Sequence, residues 1–123
     1  MADKMSILII DDERDFCELV MSILHKEPYS IECAHTLLEA RNTLTLKSPD
    51  FILLDNNLPD GQGIDFLQEY YTLFEGSKTI MMTADSSDHL RQKAYRLGVY
   101  EFLTKPFSFR KLRELMSAVP EIV

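Results

Sequence analysis

The sequence is short of positive charge, of glycine and of cysteine, and it has no long apolar run. Thirteen Lys and Arg stand against twenty Asp and Glu, a net charge of −7, which argues against a domain that itself grips nucleic acid. No apolar stretch approaches the ~20 residues that a membrane-spanning helix needs. The opening MADK leads into an apolar run of six residues, Met5 to Ile10, broken at once by Asp11, Asp12 and Glu13, so no secretory signal is expected. A cytoplasmic protein is the expectation. Cys17 and Cys33 form neither a CxxC pair nor a disulfide framework. Both sit among apolar neighbours and are expected to be buried, reduced thiols. His25, His35 and His89 lack metal-ligand spacing and read as surface or cap residues.

What is present is a chain of 123 residues, 46% hydrophobic, a size and composition that fit one packed domain over residues 1–123. Its charge is uneven. Residues 1–90 hold 6 basic and 17 acidic side chains, whereas residues 91–123 hold 7 and 3. The basic end is a candidate partner surface, although most of its charges also suit ordinary solvated helix faces.

Short apolar runs alternate with segments of helical spacing. Strands are expected at Met5 to Ile10, Ser30 to Ala34, Phe51 to Leu54, Thr79 to Thr83 and Tyr100 to Thr104. The first helix should carry Phe16, Leu19, Val20, Ile23 and Leu24 on one face and stop before Pro28. Thr36 and Glu39 have capping-box spacing and should satisfy each other's free amides at the start of the second. The Pro/Gly-rich LPDGQG leads into a third from about Ile64 to Leu73, in which Tyr70, Tyr71 and Phe74 read as packing residues. Ser86 or Ser87 should cap the fourth, which ends at Gly98, and Ser108 should open the last, to about Ala118. Alternating strands and helices imply right-handed crossovers and a parallel α/β sheet. ILII, FILL and TIMM are continuously apolar, as strands covered on both faces are, while SIECA and YEFLT are mixed, as edges can be. The order 2-1-3-4-5 follows, a flavodoxin-like (βα)5 sandwich.

Asp11, Asp12, Asp55, Thr83 and Lys105 fall at the ends of these strands. A parallel sheet gathers its carboxyl strand ends along one edge, where ligands bind. Three carboxylates, one hydroxyl and one ammonium group would thus share a pocket. At about 4 Å and an effective dielectric of about 20, each carboxylate pair repels by roughly 4 kcal/mol. A hard cation such as Mg²⁺ offsets that repulsion and bridges to phosphate. An Asp55 oxygen can then attack phosphorus, as other carboxylate nucleophiles do. Lys105 supplies charge to the phosphoryl oxygens and the Thr83 hydroxyl a hydrogen bond. The individual residues also have plainer readings: Asp12 as a helix cap, Lys105 as a loop lysine, Thr83 as a strand former, Phe102 as core.

ILIIDDE, LLDNNLPDGQG, MMTAD and FLTKPF together resemble the receiver domain of bacterial two-component response regulators, over about Met5 to Ala118. The resemblance implies phosphorylation of Asp55 by a sensor histidine kinase or phosphotransfer protein, with the receiver catalysing only its own phosphorylation and dephosphorylation. It assigns the metal to Asp11, Asp12, Asp55 and the backbone carbonyl of Asn57, with Mg²⁺ expected and Mn²⁺ able to substitute. It makes Thr83 and Phe102 the switch pair, Phe102 standing where many relatives carry Tyr. It has Asn57 and Asp85 tune phosphate lifetime, and the Lys105–Pro106 peptide cis.

The fourth helix has only Leu90, Ala94 and Leu97 as a buried stripe and should shift easily. With the fifth strand and last helix it carries Arg91, Lys93, Arg96, Arg110, Lys111 and Arg113. This face, including Phe102, is expected to change on phosphorylation and to bind an output domain, a partner protein or a second copy. The chain shows no linker or DNA-binding segment, which suits a stand-alone receiver or the N-terminal part of a larger regulator.

Three other readings compete. An FMN-binding module needs a phosphate loop after the first strand, where this chain has DDE. A turnover phosphatase needs a second acid/base aspartate that DNNLPDG does not offer. A degenerate receiver acting as a phosphorylation-independent protein-binding scaffold would not need the complete site.

Overall fold

The computed structural model describes residues 5–24 and 28–117. Five strands form one parallel sheet: β1 (Met5–Ile10), β2 (Tyr29–Ala34), β3 (Phe51–Asp55), β4 (Lys78–Thr83) and β5 (Glu101–Thr104), in the order β2-β1-β3-β4-β5. Five helices alternate with them: α1 (Arg14–Leu24), α2 (Leu37–Leu46), α3 (Gly63–Glu69), α4 (Asp88–Arg96) and α5 (Phe109–Ser117). This is the flavodoxin-like arrangement, with β2 and β5 at the edges.

Side chains alternate across the sheet and so divide the core in two. Ile7, Ile9, Phe51, Leu53, Ile80, Met82 and Leu103 pack with Cys17, Val20 and Leu24 of α1 and with Leu112 and Met116 of α5. Leu8, Ile10, Ile52, Leu54, Met81 and Phe102 face α2, α3 and α4. β1, β3 and β4 are buried through their carboxyl-terminal halves, whereas β2 alternates between half-buried and exposed positions up to Ala34. Continuous apolar runs therefore mark the centre of the sheet.

Several elements differ from expectation. The buried stripe of α1 is Cys17, Val20 and Leu24, and Leu19 is 46% exposed. Successive helical residues are about 100° apart, so Leu19 falls to the side of a stripe centred on Val20. α3 stops at Glu69, and Tyr71–Phe74 forms a 3₁₀ turn. That tighter turn brings Phe74 edge-on to Phe66, with ring centroids 5.8 Å apart, and leaves Tyr71 exposed. Thr36 accepts the Glu39 amide as a cap, but Glu39 reaches back to the amide of His35 rather than to that of Thr36. Ser87 caps α4 and Ser108 accepts the Lys111 amide at the start of α5. Cys17 is buried and Cys33 half-buried; both are free, and the two thiols hydrogen-bond each other. That bond and burial hold the Cys17 thiol well above its ordinary pKa. His25 and Ala118 lie outside the described residues. Among the described residues no helix is long and apolar enough to cross a membrane.

The turn from β3 into α3 leaves no space at Gly63. A Cβ there would stand 2.5 Å from the Asp55 carbonyl oxygen and 3.0 Å from the Leu54 side chain. Gly63→Ala is therefore expected to destabilise the protein by about 1–3 kcal/mol through overpacking, read as a lower urea midpoint at unchanged slope. An unaltered midpoint would contradict this account of the turn.

Candidate functional site

Strand register assembles the site. Ile10 pairs with Leu54 and Asp55 with Met82, so the residues that leave β1, β3 and β4 emerge side by side. The crossings are tied by backbone hydrogen bonds: Asp11 N–H to the Ala34 carbonyl, Asn56 N–H to Met82 and Lys105 N–H to Thr83. Asp11 and Thr83 are fully buried and Asp55 is 5% exposed, whereas Asp12 is exposed.

Asp11, Asp12 and Asp55 can each offer one carboxylate oxygen within 4.8 Å of the others. Among the described residues one ammonium group serves them. Lys105 Nζ donates to Asp11 Oδ2 at 2.9 Å, lies 3.6 Å from Asp55 Oδ1 and sits 5.0 Å from the centroid of the Phe16 ring. The other Asp11 oxygen accepts the Glu13 amide at 2.9 Å. Burial alone would lower the Lys105 pKa, but Asp11 and then Asp55 more than reverse this, and it stands above its ordinary value. The Asp55 carboxyl is raised as well, which for an acid favours the uncharged form. Burial raises it, Lys105 opposes, Asp11 raises it further, and the carboxyl is pushed up to about 6. The Asn57 amide, donating to the Asp55 carboxylate, only partly offsets the rise. The site thus holds more negative charge than its own cation neutralises.

Thr83 Oγ1 accepts the Asp85 amide at 3.1 Å, and the exposed Asp85 carboxylate accepts the Ser87 amide. The Lys105–Pro106 peptide is cis. Phe102 is buried under α4, with the Arg91 guanidinium 4.8 Å from its ring centroid. Arg113 instead reaches back to the Ile23 carbonyl of α1, and so does not join the basic face on which the sequence placed it.

Residues that sequence reasoning passed over hold the site's loops. His35 Nδ1–H donates to the Asp11 carbonyl at 2.8 Å. Asn56 Oδ1 accepts the Ile64 amide at the start of α3. Asp60 accepts the amides of Leu37 and Leu38 across a separation of more than twenty residues. Burial pushes the Asp60 carboxyl up, and these amides together with its own more than reverse that to leave it below the usual carboxylate range. Tyr95 donates to Glu101 and accepts the Phe102 amide, joining α4 to β5. Of these, only the polar run Asn56-Asn57 beside Asp55 gave a local signal. An apolar groove of about 520 Å³, lined by Phe16, Leu19, Phe107 and Phe109, opens beside Lys105.

The family model of the response regulator receiver domain matches residues 7–117. This chain belongs to the response regulator receiver domain family. The receiver is 34% identical over 116 residues to the transcriptional regulatory protein CitB of Klebsiella pneumoniae, covering 93% of this chain and 50% of CitB. It is 34% identical over 114 residues to the response regulator protein PilR of Pseudomonas aeruginosa, covering 93% of this chain and 26% of PilR. The receiver thus spans half or less of the length of these relatives. Among solved structures, a two-component response regulator from Clostridium difficile has a TM-score of 0.87 at 26% identity, covering 94% of each chain. A CheY-like receiver domain protein from Methanospirillum hungatei JF-1 has a TM-score of 0.86 at 29% identity, covering 93% of this chain and 91% of that one. A receiver is a signalling domain and not a turnover enzyme.

The raised Asp55 carboxyl has a consequence for stability. Its ordinary value is 3.8. Below about pH 4 the group is protonated in both folded and unfolded states and costs nothing. As pH rises toward about 6 the unfolded chain ionises first, and above that the folded protein carries the full penalty. Metal-free Asp55→Asn should therefore be more stable than wild type at pH 7.5, by roughly 2–3 kcal/mol, with the gap closing near pH 4. Mg²⁺ should stabilise the wild type more than Asp55→Asn. Thermal unfolding in chelator measures the gap; equal stability across this range would contradict the electrostatics.

Proposed function

We propose that this receiver accepts a phosphoryl group on Asp55 from a phosphohistidine of a sensor histidine kinase or phosphotransfer protein, in a Mg²⁺-dependent reaction. The observation that carries the reading is the Asp55 carboxylate held between Asp11, Asp12 and the Lys105 ammonium at the carboxyl edge of the sheet. The residues suit the ion: hard carboxylate oxygens, a surplus of negative charge and an exposed Asn57 whose backbone carbonyl adds another oxygen. Asp11, Asp12, Asp55 and that carbonyl would hold Mg²⁺, with Mn²⁺ able to substitute. The bound ion supplies charge neutralisation for the carboxylates and for the phosphoryl oxygens.

In the transfer, an Asp55 oxygen forms a bond to phosphorus as the bond from phosphorus to the donor nitrogen breaks. The freed imidazole keeps the electron pair. Lys105 is placed to follow the phosphoryl oxygens while it remains bonded to Asp11. Thr83 must release the Asp85 amide before its hydroxyl can turn to the phosphate. Asn57 and Asp85 flank the site and tune hydrolysis. This reading treats residues 1–123 as one receiver domain in the cytoplasm.

The conformational reading places the output face on α4, β5 and α5. α4 buries only Leu90 and Ala94, and its join to β5 rests on Tyr95 and on Arg91 over Phe102. Few buried contacts favour movement. An output domain, a separate partner or a second copy would meet Arg91, Lys93, Arg96, Phe102, Arg110 and Lys111. CitB is a transcriptional regulatory protein, which makes a linked output domain one form such a partner takes.

Incubation with acetyl phosphate and Mg²⁺ tests the proposal. Intact mass should show one phosphoryl adduct, absent in Asp55→Asn and absent with chelator. Amide spectra of the adduct should shift over residues 85–113. Mass unchanged while Mg²⁺ binds would overturn the phospho-acceptor reading. A protein that neither binds Mg²⁺ nor gains mass would favour the scaffold alternative, and an unshifted face would remove the proposed switch.

A further inference from the structure

The loop that carries Asn57 is a two-stranded antiparallel ribbon. Asn57 pairs with Gln62 and Leu58 with Gly61. Its base is fixed by Asn56, whose side chain and carbonyl accept the amides of Ile64 and Gly63. Leu58 packs against the core, and the polar tie of the ribbon tip is Asp60. Asp60 Oδ1 accepts the Leu37 amide at 2.9 Å and Oδ2 the Leu38 amide at 3.1 Å. These are the first two free amides of α2, which lack partners within the helix. Gly61 adopts φ +148° directly after Asp60, and a Cβ there would stand 3.1 Å from Leu37 Cδ1, so the tip lies against the helix it grips. The same helix end is tied to the metal site from the other side, because His35 donates to the Asp11 carbonyl.

We infer that Asp60 is a positioning residue for the metal site: by clamping the ribbon tip to the start of α2, it holds the Asn57 carbonyl in register with Asp11 and Asp55. The inference rests on the Mg²⁺ reading above and extends it. Asp60 touches none of the reacting atoms. Its effect passes through the backbone of the ribbon over residues 57–62, so it acts on cation affinity and on loop order.

The test separates this role from ordinary helix capping. Thr36→Ala removes another cap from the same helix end, the acceptor of the Glu39 amide, without touching the ribbon. Both Asp60→Ala and Thr36→Ala should lower the melting temperature of the metal-free protein. Only Asp60→Ala should weaken Mg²⁺, by at least about threefold and toward the ~10-fold typical when the support of a metal ligand is lost. Its amides over residues 57–62 should also exchange faster in metal-free protein. Asp60→Asn, which keeps one carbonyl acceptor, should fall between Asp60→Ala and wild type. Mg²⁺ affinity is read by titration calorimetry. Equal affinity of Asp60→Ala and wild type would overturn the inference, as would an equal loss in Thr36→Ala. A wild type that binds no Mg²⁺ would overturn the metal reading and this inference with it, a result distinct from the other two.

Discussion

Among the described residues three carboxylates meet one ammonium group at the carboxyl edge of the sheet, and the surplus charge is the constraint that organises this receiver. Lys105 cannot serve all three. It donates to Asp11 and stays 3.6 Å from Asp55, so burial, with Asp11 adding to it, raises the Asp55 pKa against its pull. The fold carries that penalty because the sheet around it is buried on both faces and its strands are locked in register. A divalent cation held by the three carboxylates would relieve it and would offset the charge that a phosphoryl group adds, which ties the energetics of the pocket to its chemistry.

The surrounding loops are held accordingly. The turns that follow β1, β2 and β3 are pinned by a polar side chain or by a close backbone approach: His35 on Asp11, Asn56 at the entry to α3, Asp60 on α2, and Gly63 against the Asp55 carbonyl. The opposite side of the site is looser. α4 buries two residues and meets β5 through Tyr95 and through Arg91 over Phe102. Rigidity around the ligands beside a loosely packed helix is the distribution that lets a local charge change move one face.

The sheet was legible because its information is local. Continuous apolar runs mark central strands and mixed runs mark edges, and the residue that follows each run lands at the ligand edge whatever the helices do. Helix ends were less legible. The turn of Tyr71–Phe74 is set by Phe74 seeking Phe66, and the exposure of Leu19 by how α1 lies on the sheet; neither is a property of the segment alone. Asp60, in a run of turn residues, reads as any turn aspartate, and its partners Leu37 and Leu38 lie in another element. Arg113 reads as part of a basic helix face until the structure shows it bonded to Ile23. Contacts between distant segments were thus the part that sequence could not supply, and they include most of the residues that steady the site.

Asp55 is partly protonated near pH 6 because burial and the neighbouring Asp11 carboxylate outweigh the attraction of Lys105. Calorimetric titration of Mg²⁺ into metal-free protein, in two buffers of different ionisation enthalpy, counts the protons released. The account predicts release of about half a proton at pH 6 and almost none at pH 8. Binding without proton release at pH 6, or the same release from Asp55→Asn, would contradict it.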